Sequence, residues 1–234
     1  MSSESWVLGL DGCPAGWAGI CWSGTKVVGV FGTTVVSVVE RATIAIENAP
    51  IAVIGIDMFV GLPDHSVRQA DALARLAIGP RRSSVFNAPV RAALEATTYA
   101  DALAINGEMT GRGFSAQAFA MRKKALEIDR FAHDLKVPLI EVHPEVTFAQ
   151  MNGEPLLFSK KTHSGLELRR QIVANNGIQI PDSLAELGKR ASTDDILDAA
   201  AVAWTAMRFH RGTAESLPSP PEVFSDGLPA AIWF

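Results

Sequence analysis

Two short apolar segments that each end in an aspartate, Val7–Asp11 and Val53–Asp57, constrain the fold of this chain most. The second does not alternate between apolar and polar residues, which is typical of a parallel strand covered on both faces. In each segment a glycine, Gly9 or Gly55, precedes the aspartate by two residues and therefore shares its strand face. The glycine leaves room for a helix, a ligand or a close backbone. Each aspartate could simply start a turn, but on neighbouring strands the two carboxylates would converge where α/β sheets bind ligands.

The order of the remaining segments predicts a mixed α/β sheet flanked by helices. The predicted strands are 6–10, 18–22, 26–31, 52–57 and 137–142, the first three forming an antiparallel meander. The predicted helices are 34–47, 65–77, 90–105, 115–134, 166–176 and 194–210. The helices within about 64–135 form an insertion in a single domain spanning 1–234. The tail at 216–221, rich in Ser and Pro, is expected to be a loop.

Composition excludes several classes of protein. Apolar residues make up 48% and charged residues 20% of the 234 residues, which excludes intrinsic disorder. The net charge of −4 speaks against a generic nucleic-acid coat, which would be basic. The first residues lack the pattern of a signal peptide, and no stretch reaches the ~20 apolar residues of a membrane span. With only two cysteines, Cys13 and Cys21, we expect a reduced, cytoplasmic protein with no membrane partner.

The last predicted helix carries a third acidic element. Its residues from Ile196 to Met207 are nearly all apolar, so most of its sides are expected to be covered. A buried carboxylate on this helix, Asp198, needs a cation, hydrogen-bond donors or a route to water. Asp195 lies one turn earlier on the same face, although it also fits a capping box that begins at Ser192. Asp194 is expected to be an exposed acid of the first turn.

A glutamate and a histidine, Glu141 and His143, share one face of the strand predicted at 137–142 and are further candidates. Clustered carboxylates repel one another unless a cation lies between them. Oxygen ligands suit Mg²⁺ or Mn²⁺ better than zinc. Two such ions about 3.5–4 Å apart can activate a water and stabilise the leaving oxygen in phosphodiester cleavage.

Two basic groups are candidates for holding phosphate. Arg with Ser in a loop can bind phosphate through bidentate and hydroxyl hydrogen bonds. The candidates are Arg81, Arg82, Ser83, Ser84, Lys160 and Lys161. Lys123 and Lys124, on the helix predicted at 115–134, are expected to be solvated surface residues.

Six groups of residues carry a resemblance to a known family. They are Gly9–Trp17; Ile54–Asp57 with Gly61–Pro63; Arg81–Phe86 with Ala88–Pro89; Glu141–Glu145; Ser159–Lys161; and Asp194–Ala200. On these residues the chain resembles domain of unknown function 429, a family of predicted RNase H-like nucleases. The run from Asp195 to Ala203 is also similar to the closing helix of RuvC-type resolvases, which carries two aspartates three apart.

The resemblance implies a five-stranded RNase H-like sheet, three antiparallel strands followed by parallel ones, with flanking helices. It implies a metal-dependent nuclease that uses two Mg²⁺ or Mn²⁺ ions. The residues that fall on the superfamily's metal-binding positions are Asp11, Asp57, Asp195 and Asp198. Glu141 and His143 belong to the motif of the narrower family.

Three classes of function stay open from the sequence. The leading hypothesis is a metal-dependent phosphodiesterase or nuclease that acts on nucleic acid or a related nucleotide. Actin-like kinases and ATPases also have an acid-Gly turn after their first strand, so ATP turnover is an alternative. The third hypothesis is a non-catalytic module that binds nucleic acid or a protein partner. A homodimer is among the expected assemblies.

Overall fold

A seven-stranded mixed sheet forms the centre of the computed structural model, which describes residues 5–181, 187 and 190–234. The strands are β1 (Trp6–Cys13), β2 (Gly16–Trp22), β3 (Val27–Gly32), β4 (Ile51–Asp57), β5 (Leu139–Val142), β6 (Ser216–Val223) and β7 (Pro229–Trp233). Their order across the sheet is β3-β2-β1-β4-β5-β7-β6. The predicted class, a mixed α/β sheet flanked by helices, is therefore confirmed.

Helices account for most of the chain between the strands. They are α1 (Val35–Ala45), α2 (Gln69–Ile78), α3 (Arg91–Glu95), α4 (Tyr99–Thr110), α5 (Ala116–Ala120), α6 (Arg122–Asp134), α7 (Pro144–Asn152), α8 (His163–Asn175) and α9 (Thr193–His210). A 3₁₀ helix, Gly79–Ser84, follows α2 directly. Among the described residues, no helix is long and apolar enough to cross a membrane.

The central strands are covered on both faces, as the apolar pattern predicts. In β1, Val7 packs in the cluster that contains the apolar residues of α9. Leu8 and Leu10 belong to the opposite cluster, together with residues of α1 and α6. β1 pairs with β2 in antiparallel register and with β4 in parallel register, which makes β1 and β4 neighbours.

The expectation of five strands is wrong, because the last part of the chain adds two more. The tail at 216–221, expected to be a loop, lies within β6. β6 pairs only with β7 and lies at the edge of the sheet, where prolines are tolerated since one side of the strand needs no ladder hydrogen bonds. β7 is largely buried and pairs in parallel with β5.

Two helices predicted as continuous are each divided in two. The segment 90–105 contains α3 and the start of α4, because the side chain of Thr98 accepts a hydrogen bond from the Asp101 N–H and begins a new helix. The segment 115–134 contains α5 and α6, which meet at Met121.

Candidate functional site

Two carboxylates lie side by side where the parallel pairing of β1 with β4 ends, two residues before the end of β1. Asp11 and Asp57 are directly opposite each other in the parallel register, so the predicted convergence is present. Asp11 is only 5% exposed, and Asp57 is half-buried. Burial raises the pKa of Asp11 well above its usual value, and the negative charges of Asp57 and Asp198 raise it further. In the part of the chain that the structure describes, neither carboxylate accepts a hydrogen bond.

The two glycines that precede these aspartates determine where α9 packs. A Cβ atom on Gly9 would lie 2.2 Å from the Ala199 carbonyl oxygen and 2.2 Å from the Ala203 nitrogen. A Cβ on Gly55 would lie 2.8 Å from Cγ1 of Val202. The backbone of α9 therefore lies directly on β1, and the room beside the acids is taken by a helix.

The close packing of α9 brings its buried acid, Asp198, to the ends of these strands. Asp198 is 1% exposed, and its carboxylate accepts a short hydrogen bond from the Lys160 ammonium. Burial raises the pKa of Asp198 to about 6, although Lys160 acts in the opposite direction. Burial would lower the pKa of Lys160, but the charges of Asp198 and Asp11 raise it above its ordinary value. Lys160, predicted to hold phosphate, is paired here with a carboxylate.

The other two acids of α9 have structural partners. The Asp195 carboxylate accepts a hydrogen bond from the Ser192 N–H at 2.7 Å and completes the capping box. Its charge still contributes to the raised pKa of Asp11. Asp194 is 8% exposed and accepts a hydrogen bond from the Lys161 ammonium at 2.7 Å, so the expectation of an exposed acid is wrong. Burial opposes ionisation of Asp194, but the bonds from Lys161 and Ser192 lower its pKa overall.

The acids do not form a preassembled two-ion site. Among the described residues, no group of three or more His, Cys, Asp or Glu side chains is arranged to hold a metal ion. Asp11 and Asp57 remain as an adjacent pair of oxygen donors. Mg²⁺ is commonly held by one or two carboxylates while it keeps several waters, so this pair fits one divalent ion.

The strand glutamate, Glu141, is held in a buried ion-pair network. The Arg68 guanidinium donates to its two oxygens at 2.7 and 2.8 Å, and the Val60 N–H donates at 2.7 Å. Arg68 also donates to Asp71 at 2.7 Å and is only 1% exposed. Burial nevertheless raises the pKa of Glu141. Its oxygens are thus occupied by donors that fix the loop after β4 and the start of α2.

We expect Glu141→Gln to lower the free energy of unfolding by about 2 kcal/mol, because a charge-assisted bond to Arg68 is lost. Urea denaturation measures this change. Glu154→Gln is the matched control, since Glu154 is exposed and its replacement should change stability by less than about 0.5 kcal/mol. Equal stability of the two variants would mean that Asp71 and the Val60 carbonyl, which accepts a hydrogen bond from Arg68 at 3.1 Å, are sufficient partners for Arg68.

The histidine candidate, His143, faces the 3₁₀ helix. Its Nε2 lies 3.3 Å from the Ser84 carbonyl oxygen, and its Nδ1 is buried without a hydrogen-bond partner among the described residues. The Ser84 hydroxyl donates to the Arg81 carbonyl at 2.8 Å. Arg81 itself lies 3.7 Å from Glu145, which Arg169 binds through both oxygens.

The predicted phosphate loop is divided between two places. Arg82 and Ser83 line a separate cavity of about 280 Å³. Its other lining residues are Arg75, Val85, Phe86, Asn87, Ser115 and Gln117. Ser84 instead lines the larger cavity that contains Asp11 and Asp57.

This larger cavity has a volume of about 570 Å³ and is lined by the two carboxylates and by residues of the α5–α6 junction. Lys123 and Lys124, expected to be solvated, both line it. The remaining lining residues are Gly12, Cys13, Pro14, Met58, Phe59, Asp71, Ser84, Val85, Phe86, Ala120, Met121, Glu141, His143 and Ile232. Lys160, Asp195 and Asp198 do not line this cavity. Arg68 and Met121 were not identified from the sequence. Arg68 has a local partner in Asp71, three residues on, but its pairing with Glu141 spans 73 positions and has no local signal.

Fold and site together define a mixed α/β protein that carries clustered carboxylates where two central parallel strands end. The family described as "Protein of unknown function (DUF429)" matches residues 9–223. The chain therefore belongs to this family, as the sequence resemblance indicates. Comparison with curated proteins and with solved structures gave no significant match.

Proposed function

We propose that this protein is a metal-dependent phosphodiesterase with an RNase H-like fold. The observation that carries the proposal is the pair of carboxylates, Asp11 and Asp57, in register on neighbouring parallel strands without hydrogen-bond donors in the described residues. The order of the first five strands, β3-β2-β1-β4-β5, supports the RNase H-like assignment. The two further strands, β7 and β6, extend that order beyond β5.

The residues present fit one Mg²⁺ or Mn²⁺ ion better than two. Asp11 and Asp57 would hold the ion, because their mutual repulsion falls when a cation lies between them. A divalent ion bound there supplies Lewis-acid chemistry at a phosphoryl oxygen and a more acidic bound water. Asp198 instead has the ammonium of Lys160 as its counter-charge. In this proposal Lys160 stands in place of the second ion predicted from the sequence.

The remaining acids of α9 would act by position and charge. Asp195 closes the N-terminal cap and so fixes the first turn of the helix beside β1. Asp194 holds Lys161 at 2.7 Å and lies 3.9 Å from the Lys160 ammonium, which helps to orient that lysine. The cluster thus combines a carboxylate pair open to the cavity with a lysine-neutralised group behind it.

A substrate panel tests the proposed function. We expect Mn²⁺-dependent hydrolysis of bis(para-nitrophenyl) phosphate, or of single-stranded RNA or DNA, by the wild type, and a rate about a thousandfold lower in Asp57→Asn. ATP in the same panel tests the actin-like alternative, which requires nucleotide turnover without cleavage of any phosphodiester. The proposal would be overturned if the wild type cleaved no phosphodiester of the panel with either Mg²⁺ or Mn²⁺.

The absence of a preassembled metal group in the described residues favours one other function, a non-catalytic binding module. Such a module would bind a nucleotide or nucleic acid without turnover. Its thermal stability would not change with Mg²⁺ or Mn²⁺, in the wild type or in Asp11→Asn.

We expect the wild type to bind one Mn²⁺ ion and Lys160→Met to bind two. Removal of the ammonium leaves Asp198, a buried carboxylate, without a counter-charge, so that it takes up a proton or, when Mn²⁺ is present, a second metal ion. Without metal, the variant should also be less stable, by about 3 kcal/mol, since a buried charge has lost its partner. Isothermal titration calorimetry and the electron paramagnetic resonance signal of free Mn²⁺ give the number of bound ions.

Lys161→Met is the control for this experiment. The Lys161 side chain is 75% exposed and pairs with Asp194, so its loss should leave the number of bound ions at one. Two ions in the wild type would show that Lys160 leaves Asp198 when metal binds, as the two-ion mechanism requires.

A further inference from the structure

The cavity beside Asp11 and Asp57 is walled by parts of the chain that are far apart in sequence. Residues at the ends of β1 and β4 line it together with Ala120, Met121, Lys123 and Lys124 from the α5–α6 junction. Ser84–Phe86 adds another side. A volume of about 570 Å³ is within the range of about 300–1,000 Å³ that is typical of small-molecule sites.

The wall contributed by α6 is fixed to the sheet. The Glu127 carboxylate accepts hydrogen bonds from Trp17 Nε1 at 3.2 Å and from the Val35 N–H at 2.6 Å. The Lys124 ammonium donates to the Gly16 carbonyl at 2.6 Å and lies 4.3 Å from the centre of the Trp17 ring. These contacts join α6 to β2 and to the start of α1. This wall of the cavity is therefore held in place by the fold.

Charge and apolar surface divide the cavity into two parts. The charged part contains the two carboxylates and Lys124, because a Cβ on Gly12, next to Asp11, would lie 3.2 Å from Lys124 Cδ. His143 also lines the cavity, as do Asp71 and Glu141, whose charges are paired with Arg68. Lys123, which directly precedes Lys124, is exposed and also lines the cavity. The other part is apolar and is formed mainly by Met58, Phe59, Val85, Phe86 and Met121.

We propose that this cavity binds a small phosphate ester that carries a planar ring, of the size of a nucleoside monophosphate, rather than a polymer. The phosphate would lie at the charged part, near Asp11, Asp57 and the two lysines. The ring would pack among the apolar side chains, where Phe59 and Phe86 offer aromatic faces. The inference rests on the proposed function, since the phosphate approaches the carboxylates only when a divalent ion lies between them.

Equilibrium binding of AMP in the presence of Mn²⁺ tests this inference, with inorganic phosphate, adenosine and a single-stranded oligonucleotide as the other probes. We expect AMP to bind at least about tenfold more tightly than phosphate or adenosine alone, because only AMP engages both parts of the cavity. Lys123→Glu should weaken AMP binding by about tenfold. Lys136→Glu makes the same charge change on an exposed lysine that does not line the cavity, and it should leave binding unchanged.

A second variant, Met121→Trp, should block AMP binding by filling the apolar part of the cavity. If this variant does not fold, the comparison of Lys123→Glu with Lys136→Glu still tests the inference. Both substitutions are at exposed positions, so we expect both variants to fold. Tighter binding of the oligonucleotide than of AMP, or equal effects of the two lysine variants, would overturn the inference.

The outcomes separate this inference from the proposed function. AMP binding that depends on Lys123, without hydrolysis of any phosphodiester, would support the cavity assignment and overturn the phosphodiesterase. Hydrolysis of phosphodiesters that AMP does not inhibit would support the phosphodiesterase and overturn the cavity assignment.

Discussion

Gly9→Ala should lower the free energy of unfolding by about 4 kcal/mol or more, which is exceptional for the addition of one methyl group. The new Cβ would lie 2.2 Å from two backbone atoms of α9, the Ala199 oxygen and the Ala203 nitrogen. Backbone atoms of a buried helix cannot rotate away as a side chain can. α9 would have to move off β1, and its apolar contacts with the sheet would be lost. Urea denaturation followed by circular dichroism measures the effect.

Two other glycine variants form a graded control series. In Gly55→Ala the new Cβ would meet the side chain of Val202 at 2.8 Å, so we expect a smaller loss of about 1–3 kcal/mol. Gly107, inside α4, has no atom within 4 Å of the added Cβ. Gly107→Ala should therefore raise stability by about 0.5–1 kcal/mol through helix propensity alone. A loss in Gly9→Ala no greater than that in Gly55→Ala would contradict direct backbone packing of α9 on β1.

The strands and the central acids could be predicted because their signals are local. An apolar run, a glycine and an aspartate within five positions are sufficient to place Asp11 and Asp57 at strand ends. Neither the adjacency of the two strands nor their register could be read from the segments, and the parallel pairing of β1 with β4 supplies both. The sequence is compatible with a helix, a ligand or a close backbone beside the two glycines, and the structure shows that α9 occupies this space.

The partners of the charged residues could not be predicted in the same way. Lys160 and Asp198 are 38 positions apart, and Arg68 and Glu141 are 73 positions apart. Such pairs depend on how helices and loops pack in three dimensions, and a single sequence contains no periodic signal for them. The same reason explains why the contacts of Lys124 with Gly16 and Trp17 were missed, whereas Lys123 is exposed as predicted.

The missed strands β6 and β7 have a different cause. Ser and Pro in the tail at 216–221 are typical of loops, and local propensity alone could not show that β7 is available as a partner. Pairing at one side of β7 overrides that propensity, and the edge position of β6 removes the usual penalty for proline.

We expect the substitution Asp11→Asn to change stability and function in opposite directions. Without metal, Asp11→Asn should be more stable than the wild type, because it removes a buried charge that Asp57 and Asp198 repel. The raised pKa of Asp11 gives the same sign: in the wild type its ionisation disfavours folding as pH rises from the unfolded value of 3.8 through the higher folded pKa. The excess stability of Asp11→Asn should therefore be present at neutral pH and disappear in acid.

Function should be lost in the same variant. The wild type should gain about 2.7 kcal/mol of stability when Mn²⁺ is present at a hundred times its dissociation constant, and Asp11→Asn and Asp57→Asn should gain almost none. Hydrolysis of bis(para-nitrophenyl) phosphate should fall by about a thousandfold in both, which corresponds to about 4 kcal/mol of transition-state stabilisation. Asp134→Asn is the control, since Asp134 is exposed at the end of α6 and should change neither quantity. An Asp11→Asn variant that is less stable than the wild type without metal would show that the carboxylate has a structural partner, and an unchanged response to Mn²⁺ would remove it from the metal site.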